Sequence, residues 1–288
     1  MRAIASTSFA PSGARRDAGF TIVELAVTMV VIAILLGSIL VPLNTQVESR
    51  KYDETQRVLE RAREALLGFA AAYGRFPCPA SATSNGAEHF FSPGGSPTNG
   101  ICHSSVTGTN VYAGFLPATT LGLTPVDAQG YALDAWGLSP YNRIRYAVSN
   151  QTVANGALNV QRPFTTLPNP PTNTQGMRAA GMSNISSALL LHVCGSGTGV
   201  VAGTNCGTAV TLTTNAIAVI WSVGPNSATT GGLSTDEAEN PNPVGGSVDR
   251  VFVSKTRSGG TAGEFDDSMT WLGPATVFNR LIQAGQLP

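Results

Sequence analysis

The sequence predicts an α+β fold: one long N-terminal helix, its first half transmembrane, packed on a C-terminal antiparallel β-sheet domain. Three observations carry this expectation. From Phe20 to Leu43 the only formal charge is Glu24, and the rest is Ile, Val, Leu, Ala and Met with a few small polar residues; about 20 such residues span a bilayer core as a helix. An amphipathic helical pattern follows directly. Beyond residue 75 the chain changes to short apolar runs separated by Gly, Pro, Asn, Ser and Thr, the pattern of strands and turns.

Residues 1–19 form a basic leader, with Arg2, Arg15 and Arg16 against Asp17. After the apolar run, Arg50, Lys51, Arg57, Arg61 and Arg63 are balanced by Glu48, Asp53, Glu54, Glu60 and Glu64. This asymmetry predicts a cytoplasmic leader, a span over 20–43 and an external remainder. Pro42 is expected to kink the helix or loosen a turn near the end of the span. Over 44–74 the helix continues outside the bilayer. Val58, Ala62, Ala65, Leu66, Phe69 and Tyr73 recur at helical spacing, with Gly74 as the stop and Pro77 just after.

Residues 75–288 make the globular domain. Its four cysteines, Cys78, Cys102, Cys194 and Cys206, all follow the apolar run. An even count in an exported domain favours disulfides. Three pairings are possible; Cys78–Cys102 and Cys194–Cys206 are favoured because each closes a short loop within one region. No C-x-x-C supports zinc. Residues 75–130 read as a connecting loop with short helical turns, pinned by Cys78–Cys102. Asp134-Ala135-Trp136-Gly137 and Pro140-Tyr141-Asn142 lead into a strand at 143–148, with Trp136 as an aromatic plug over the sheet. Residues 162–176 read as an exposed Pro/Asn/Thr loop. Strands are expected at 188–193, at 216–224 and at 250–254, with a further one over 266–272. A closing helix at 275–284 presents Val277, Phe278, Leu281 and Ile282 on one face.

Composition narrows the function. The formal net charge is zero and charged residues are 12%, which gives no nucleic-acid footprint. Gly195-Ser196-Gly197-Thr198-Gly199 lacks the helix and the Lys of a phosphate loop, and neither G-x-S-x-G nor H-E-x-x-H occurs. Asp266 and Asp267 are consecutive, so in a strand they would point to opposite faces and make a poor acid/base pair. Nothing argues for an enzyme.

Gly19-Phe20-Thr21-Ile22-Val23-Glu24-Leu25 and the run behind it closely resemble the prepilin cleavage and methylation signature of type IV pilins and type II secretion pseudopilins. The resemblance covers about 25 residues. It implies cutting after Gly19 by a prepilin peptidase, methylation of the new Phe20 amine, and an assembly role for Glu24, the fifth mature residue. A carboxylate in such a helix costs roughly 2.5–3.5 kcal/mol on insertion scales, so it requires a partner; the freed Phe20 amine, on its own chain or a neighbour, is the one in reach. The implied partners are other pilin or pseudopilin subunits and an inner-membrane assembly platform. The implied location is a single-pass inner-membrane protein with a periplasmic C-terminal domain, and a filament after assembly.

The family's helices often carry a Pro near position 42, although here it falls one position late. The Asp-x-Trp-Gly…Tyr segment resembles that of major-type pseudopilins. So does the loop after Ser222-Val223-Gly224, which in those proteins binds calcium. Here Asn226 stands where Asp is usual and the loop is longer; Asp236 and Glu239 are the positions carried over, and a structural calcium is the one cofactor implied. The function implied is a minor structural subunit of a type II secretion pseudopilus. The alternative is a minor type IV pilin with an adhesive or DNA-uptake binding role, for which the 162–176 loop would serve. An anchored periplasmic enzyme is a third class, disfavoured by the missing catalytic constellation.

Overall fold

The computed structural model describes residues 19, 21–103, 110–137, 140–227, 234–241, 249–259 and 264–287, with the side chains of 36–45 outside the description. The leader up to residue 18 and Phe20 therefore lie outside the described residues. The chain divides into two compact units, Met1–Ser49 and Arg50–Pro288.

Helix α1 runs Ile22–Tyr73, 52 residues. In the first unit its side chains from Ile22 to Leu35 are exposed all round, including Ile22, Val23, Leu25, Val27, Met29 and Val30. Among the described residues no helix is long and apolar enough to cross a membrane. The second half of the apolar run falls on residues 36–45, whose side chains are outside the description.

In the second unit the elements after α1 are β1 (Val111–Phe115), α2 (Ala118–Leu121), β2 (Arg145–Ser149), β3 (Val153–Asn155), β4 (Leu158–Val160), α3 (Gly176–Ala180), α4 (Met182–Ser187), β5 (Leu191–Cys194), β6 (Thr211–Ala216), β7 (Ala218–Ser222), α5 (Thr235–Ala238), β8 (Val251–Val253), β9 (Ser268–Leu272) and α6 (Pro274–Gln283). Strands β1, β2, β7 and β9 form a four-stranded antiparallel sheet in that order. A second sheet has the order β6-β5-β8. It is mixed, since β5 pairs antiparallel with β6 but parallel with β8; the purely antiparallel expectation is corrected there, because the chain makes a long crossover before β8.

The four-stranded sheet is covered on both faces. On one, Leu59, Ala62, Leu66 and Ala70 of α1 pack with Tyr112, Tyr146, Val148, Ala218 and Ile220, and Val277, Phe278 and Leu281 of α6 join them. On the other, Val111, Ala147, Val219 and Trp221 pack against Leu191, Val193 and Phe252 of the second sheet. Double coverage explains why the central strand β7 is buried at every position and reads as an unbroken apolar run.

The buried stripe of α1 is Thr55, Leu59, Ala62, Leu66, Leu67 and Ala70. It shares Ala62 and Leu66 with the expected stripe but is rotated away from Tyr73, which is 54% exposed. The rings of Tyr73 and Phe69 pack against each other at a tilt, centroids 4.5 Å apart, at the margin of the core. The helix stops at Gly74 as expected. Its φ is +68°, and a Cβ there would stand 2.6 Å from Pro168 Cγ, so both conformation and space require glycine. In α6, Ile282 is exposed and not on the buried face.

The 75–130 connection holds a strand that propensity does not reveal. β1 contains Gly114, where a Cβ would lie 2.5 Å from the Ala80 carbonyl oxygen; the close crossing of Ala80 over β1 selects the glycine that weakens the strand signal. The expected pairs Cys78–Cys102 and Cys194–Cys206 are bonded, with Cα separations of 5.3 and 5.5 Å. Two other expectations change. Pro163 to Thr166 are buried, so only the second half of the 162–176 loop is exposed. Trp136 meets Tyr52 of α1 edge-on, at 4.6 Å between centroids, so it packs on the helix and does not plug the sheet.

Beside the first disulfide, Arg75 forms a fork with Glu88, at 2.8 and 2.9 Å. Arg75 is 4% exposed and sits over the rings of Phe69 and Phe90. Glu88 also accepts the Cys78 amide at 3.2 Å. Breaking such a pair leaves a buried charge uncompensated. Glu88→Gln is expected to cost about 3–5 kcal/mol, and Arg75→Met with Glu88→Leu much less. Denaturant unfolding of both variants checks this; equal losses refute the pairing argument.

Candidate functional site

Two places gather chemistry. The first is the start of α1. Gly19 is exposed, and a Cβ added there would meet nothing within 4 Å. Thr21 Oγ1 accepts the Glu24 amide at 3.2 Å, the bond of a helix N-cap. Glu24 itself is exposed in the first turn, among the uncovered apolar side chains of Ile22, Val23, Leu25 and Val27. Phe20, the expected methylation position, lies outside the described residues.

The second place is the end of β7. Asp134 anchors it: Ser222 Oγ and Asn142 Nδ2 donate to its carboxylate at 2.6 and 2.9 Å, and the Trp136 amide donates at 3.0 Å. Burial raises the Asp134 pKa while these bonds oppose the rise. Asn142 Nδ2 also reaches the Gly224 carbonyl at 2.7 Å. The Asp-x-Trp-Gly segment thus fixes the turn that follows β7. Gly224 has φ +66°, and a Cβ on it would lie 2.3 Å from Asp266 Oδ1, so the turn is pressed against that carboxylate.

Glu237, Asp266 and Asp267 offer carboxylate oxygens that all lie within 4.8 Å of one another. Ser234 caps α5 by accepting the Glu237 amide, which presents Glu237. Glu237 Oε1 accepts the Asp266 amide at 3.0 Å, and Asn226 Nδ2 points at both Glu237 oxygens. Asn240 Nδ2 donates to Asp267 at 2.7 Å, while the same side chain pairs with the backbone of Val253. Asp266 and Asp267 precede β9 and are not in it. The alternation that would separate their side chains does not apply, and both join the cluster.

Charge is poorly compensated here. Among the described residues no Lys or Arg pairs with the three carboxylates. Both oxygens of Asp266, a residue 4% exposed, are buried with no hydrogen bond of normal geometry, although the Asn226 amide lies close enough to favour its charge. Burial first, then Glu237, pushes the Asp266 pKa up to about 7. Burial likewise raises Asp267 well above the carboxylate range. Either a proton or a cation must neutralise this group. Its donors are hard oxygens, the set that suits calcium or magnesium.

The carried-over positions fare differently. Asp236 accepts from Ser196 Oγ at 2.8 Å and from the Gly197 amide at 2.6 Å, and it forms an ion pair with Lys255. Burial works against its charge, but these bonds outweigh it and its pKa is lowered. Asp236 therefore ties α5 to the Cys194–Cys206 loop. Glu239 is the half-buried C-cap of α5 and lies outside the group that the fold assembles. The residue that reaches the other acids is Glu237, next to Asp236. Its partners are about 30 residues away in sequence, a separation that no local motif marks.

Residues 14–40 match the family model described as the prokaryotic N-terminal methylation motif. No curated protein and no solved structure matches the chain. The motif supports a type IV pilin-like subunit, made as a prepilin that a prepilin peptidase processes and that assembles with other pilin subunits.

Proposed function

We propose that this chain is a minor structural subunit of a type II secretion pseudopilus. Its work is assembly, not turnover. The observation that carries the proposal is the methylation motif over 14–40, joined to a helix that starts at Ile22, carries Glu24 in its first turn and, apart from Thr28, is apolar on every side from Leu25 to Leu35. An apolar surface of that extent is unstable in water and requires lipid or other helices. In this proposal, residues 20–43 span the inner membrane with the leader cytoplasmic and the second unit periplasmic. The peptidase cuts after Gly19 and the Phe20 amine is methylated. The helix then leaves the bilayer from an assembly platform and packs among other subunits. A minor type IV pilin with an adhesive or DNA-binding role is the alternative.

We further propose that Glu237, Asp266 and Asp267 hold a structural calcium, which would neutralise the cluster and tie α5 to the start of β9. The buried oxygens of Asp266 support this site over the Asp236–Glu239 pair.

Mass spectrometry of the membrane fraction tests the processing. The expected N-terminal peptide starts at Phe20 with one added methyl group, and an intact leader overturns the proposal. Gene deletion separates the two filament roles, since loss of a secreted protein marks the pseudopilus and loss of surface pili marks the alternative.

A further inference from the structure

We propose that the second unit contains an anion-recognition cavity, built around Arg145, that takes an organic carboxylate with an apolar body. The cavity is about 660 Å³, within the size range of small-molecule sites. It opens over one row of the four-stranded sheet. Phe115 of β1, Arg145 of β2 and Trp221 of β7 are register partners across the three strands, so their side chains share a face. Ala80, Ala113, Pro140 and Pro241 complete apolar walls, and His103 adds a polar group.

The two arginines of this cavity differ. Arg143 is satisfied: Nε donates to Asp127 at 2.8 Å, Nη2 donates to Gln129 at 3.0 Å, and its guanidinium lies 4.0 Å from the Tyr131 ring centroid. Arg145 stacks 4.2 Å from the Phe115 centroid, yet its Nε and Nη2 are buried with no hydrogen-bond partner. Among the described residues no carboxylate pairs with it. The segments outside the description beyond residue 19 contain no Asp or Glu. Burial, then the like charge of Arg143, lowers its pKa to about 9, which leaves it cationic at neutral pH.

A half-buried cation with two orphaned buried donors is costly unless something pairs with it. Among the described residues the two buried arginines are each paired with a carboxylate, Arg75 with Glu88 and Arg143 with Asp127. At Arg145 the described residues supply an aromatic face and a cavity instead. A guanidinium recognises carboxylates by its planar fork, and the Trp221, Phe115 and proline walls select for an apolar body over a small hydrated anion.

The test uses the full chain in detergent micelles, with 2-naphthoate as probe, 2-naphthamide as its neutral counterpart, and inorganic phosphate. Calorimetric titration is expected to show saturable naphthoate binding, weakened at least about tenfold for the amide and in Arg145→Met, and less in Arg145→Lys. Arg145→Met removes an unpaired, half-buried charge, so its unfolding midpoint is expected to hold or rise; the acid–amide comparison needs no variant at all. Equal binding of acid and amide overturns the proposal. So does unchanged affinity in Arg145→Met, or displacement of naphthoate by equimolar phosphate.

Discussion

Glu24→Gln protein is expected to lose its leader normally and to reach filaments at about a tenth of the wild-type level or less. Glu24 sits in the first turn of α1 with no covering residue, among exposed apolar side chains. In lipid, or between packed helices, its carboxylate must be protonated or paired. After cleavage at Gly19 the Phe20 amine is the positive group in reach, about one helical turn away on the same chain. The amine of a neighbouring subunit serves equally well, and that pairing fixes the axial offset between subunits. Gln keeps the shape, removes the charge and lowers the cost of insertion, so membrane placement and cleavage survive while the docking contact does not. Immunoblots of sheared filaments and of membranes measure the two separately. Wild-type filament levels of fully processed Glu24→Gln protein would end this account.

Millimolar calcium is expected to raise the thermal unfolding midpoint by about 5–10 °C. Saturation to about a hundred times Kd is worth about 2.7 kcal/mol, and each kcal/mol moves a unit of this size by about 2–4 °C. Glu237→Gln and Asp266→Asn should each abolish the gain. Asp236→Asn should lower stability through the lost Lys255 contact but keep the calcium response.

The cation-free protein should also depend on pH in a definite sense. The Asp266 pKa stands near 7 in the fold because of burial and Glu237, against about 3.9 unfolded. The folded state therefore holds the proton more tightly, and stability falls as pH rises from about 4 through 7. The loss is on the order of 2–4 kcal/mol and is complete above the folded value. Asp266→Asn should flatten that slope, and calcium should offset it in the wild type. A midpoint indifferent to both calcium and chelator, or a response lost in Asp236→Asn alone, would remove the site.

What the sequence determined by itself is what depends on neighbours along the chain. The methylation motif with its apolar run, the stop of α1 at Gly74, the strong strand β7 and both disulfides are all local in this sense. Each reads out within a few residues, by helical period, by glycine geometry or by the closure of a short loop. Tertiary structure decided what depends on distant partners. The buried stripe of α1 turned toward Leu59 and Ala70 because the sheet face formed by Tyr112, Tyr146 and Ile220 lies there. β1 became a strand despite Gly114, because pairing with β2 stabilises it and the crossing of Ala80 needs the missing side chain.

The acidic site divides in the same way. A carboxylate-rich loop near residue 237 was legible as composition. Which acid faces inward was not, since Asp236 and Glu237 are neighbours and only the positions of Lys255 and Asp266 separate their roles. The meeting of Asp266 and Asp267 likewise depends on distant partners. Strand alternation would have parted them, but β9 begins one residue later, at Ser268. The backbone there is held by the bond from the Asp266 amide to Glu237, a contact across 29 residues that no window on the sequence contains.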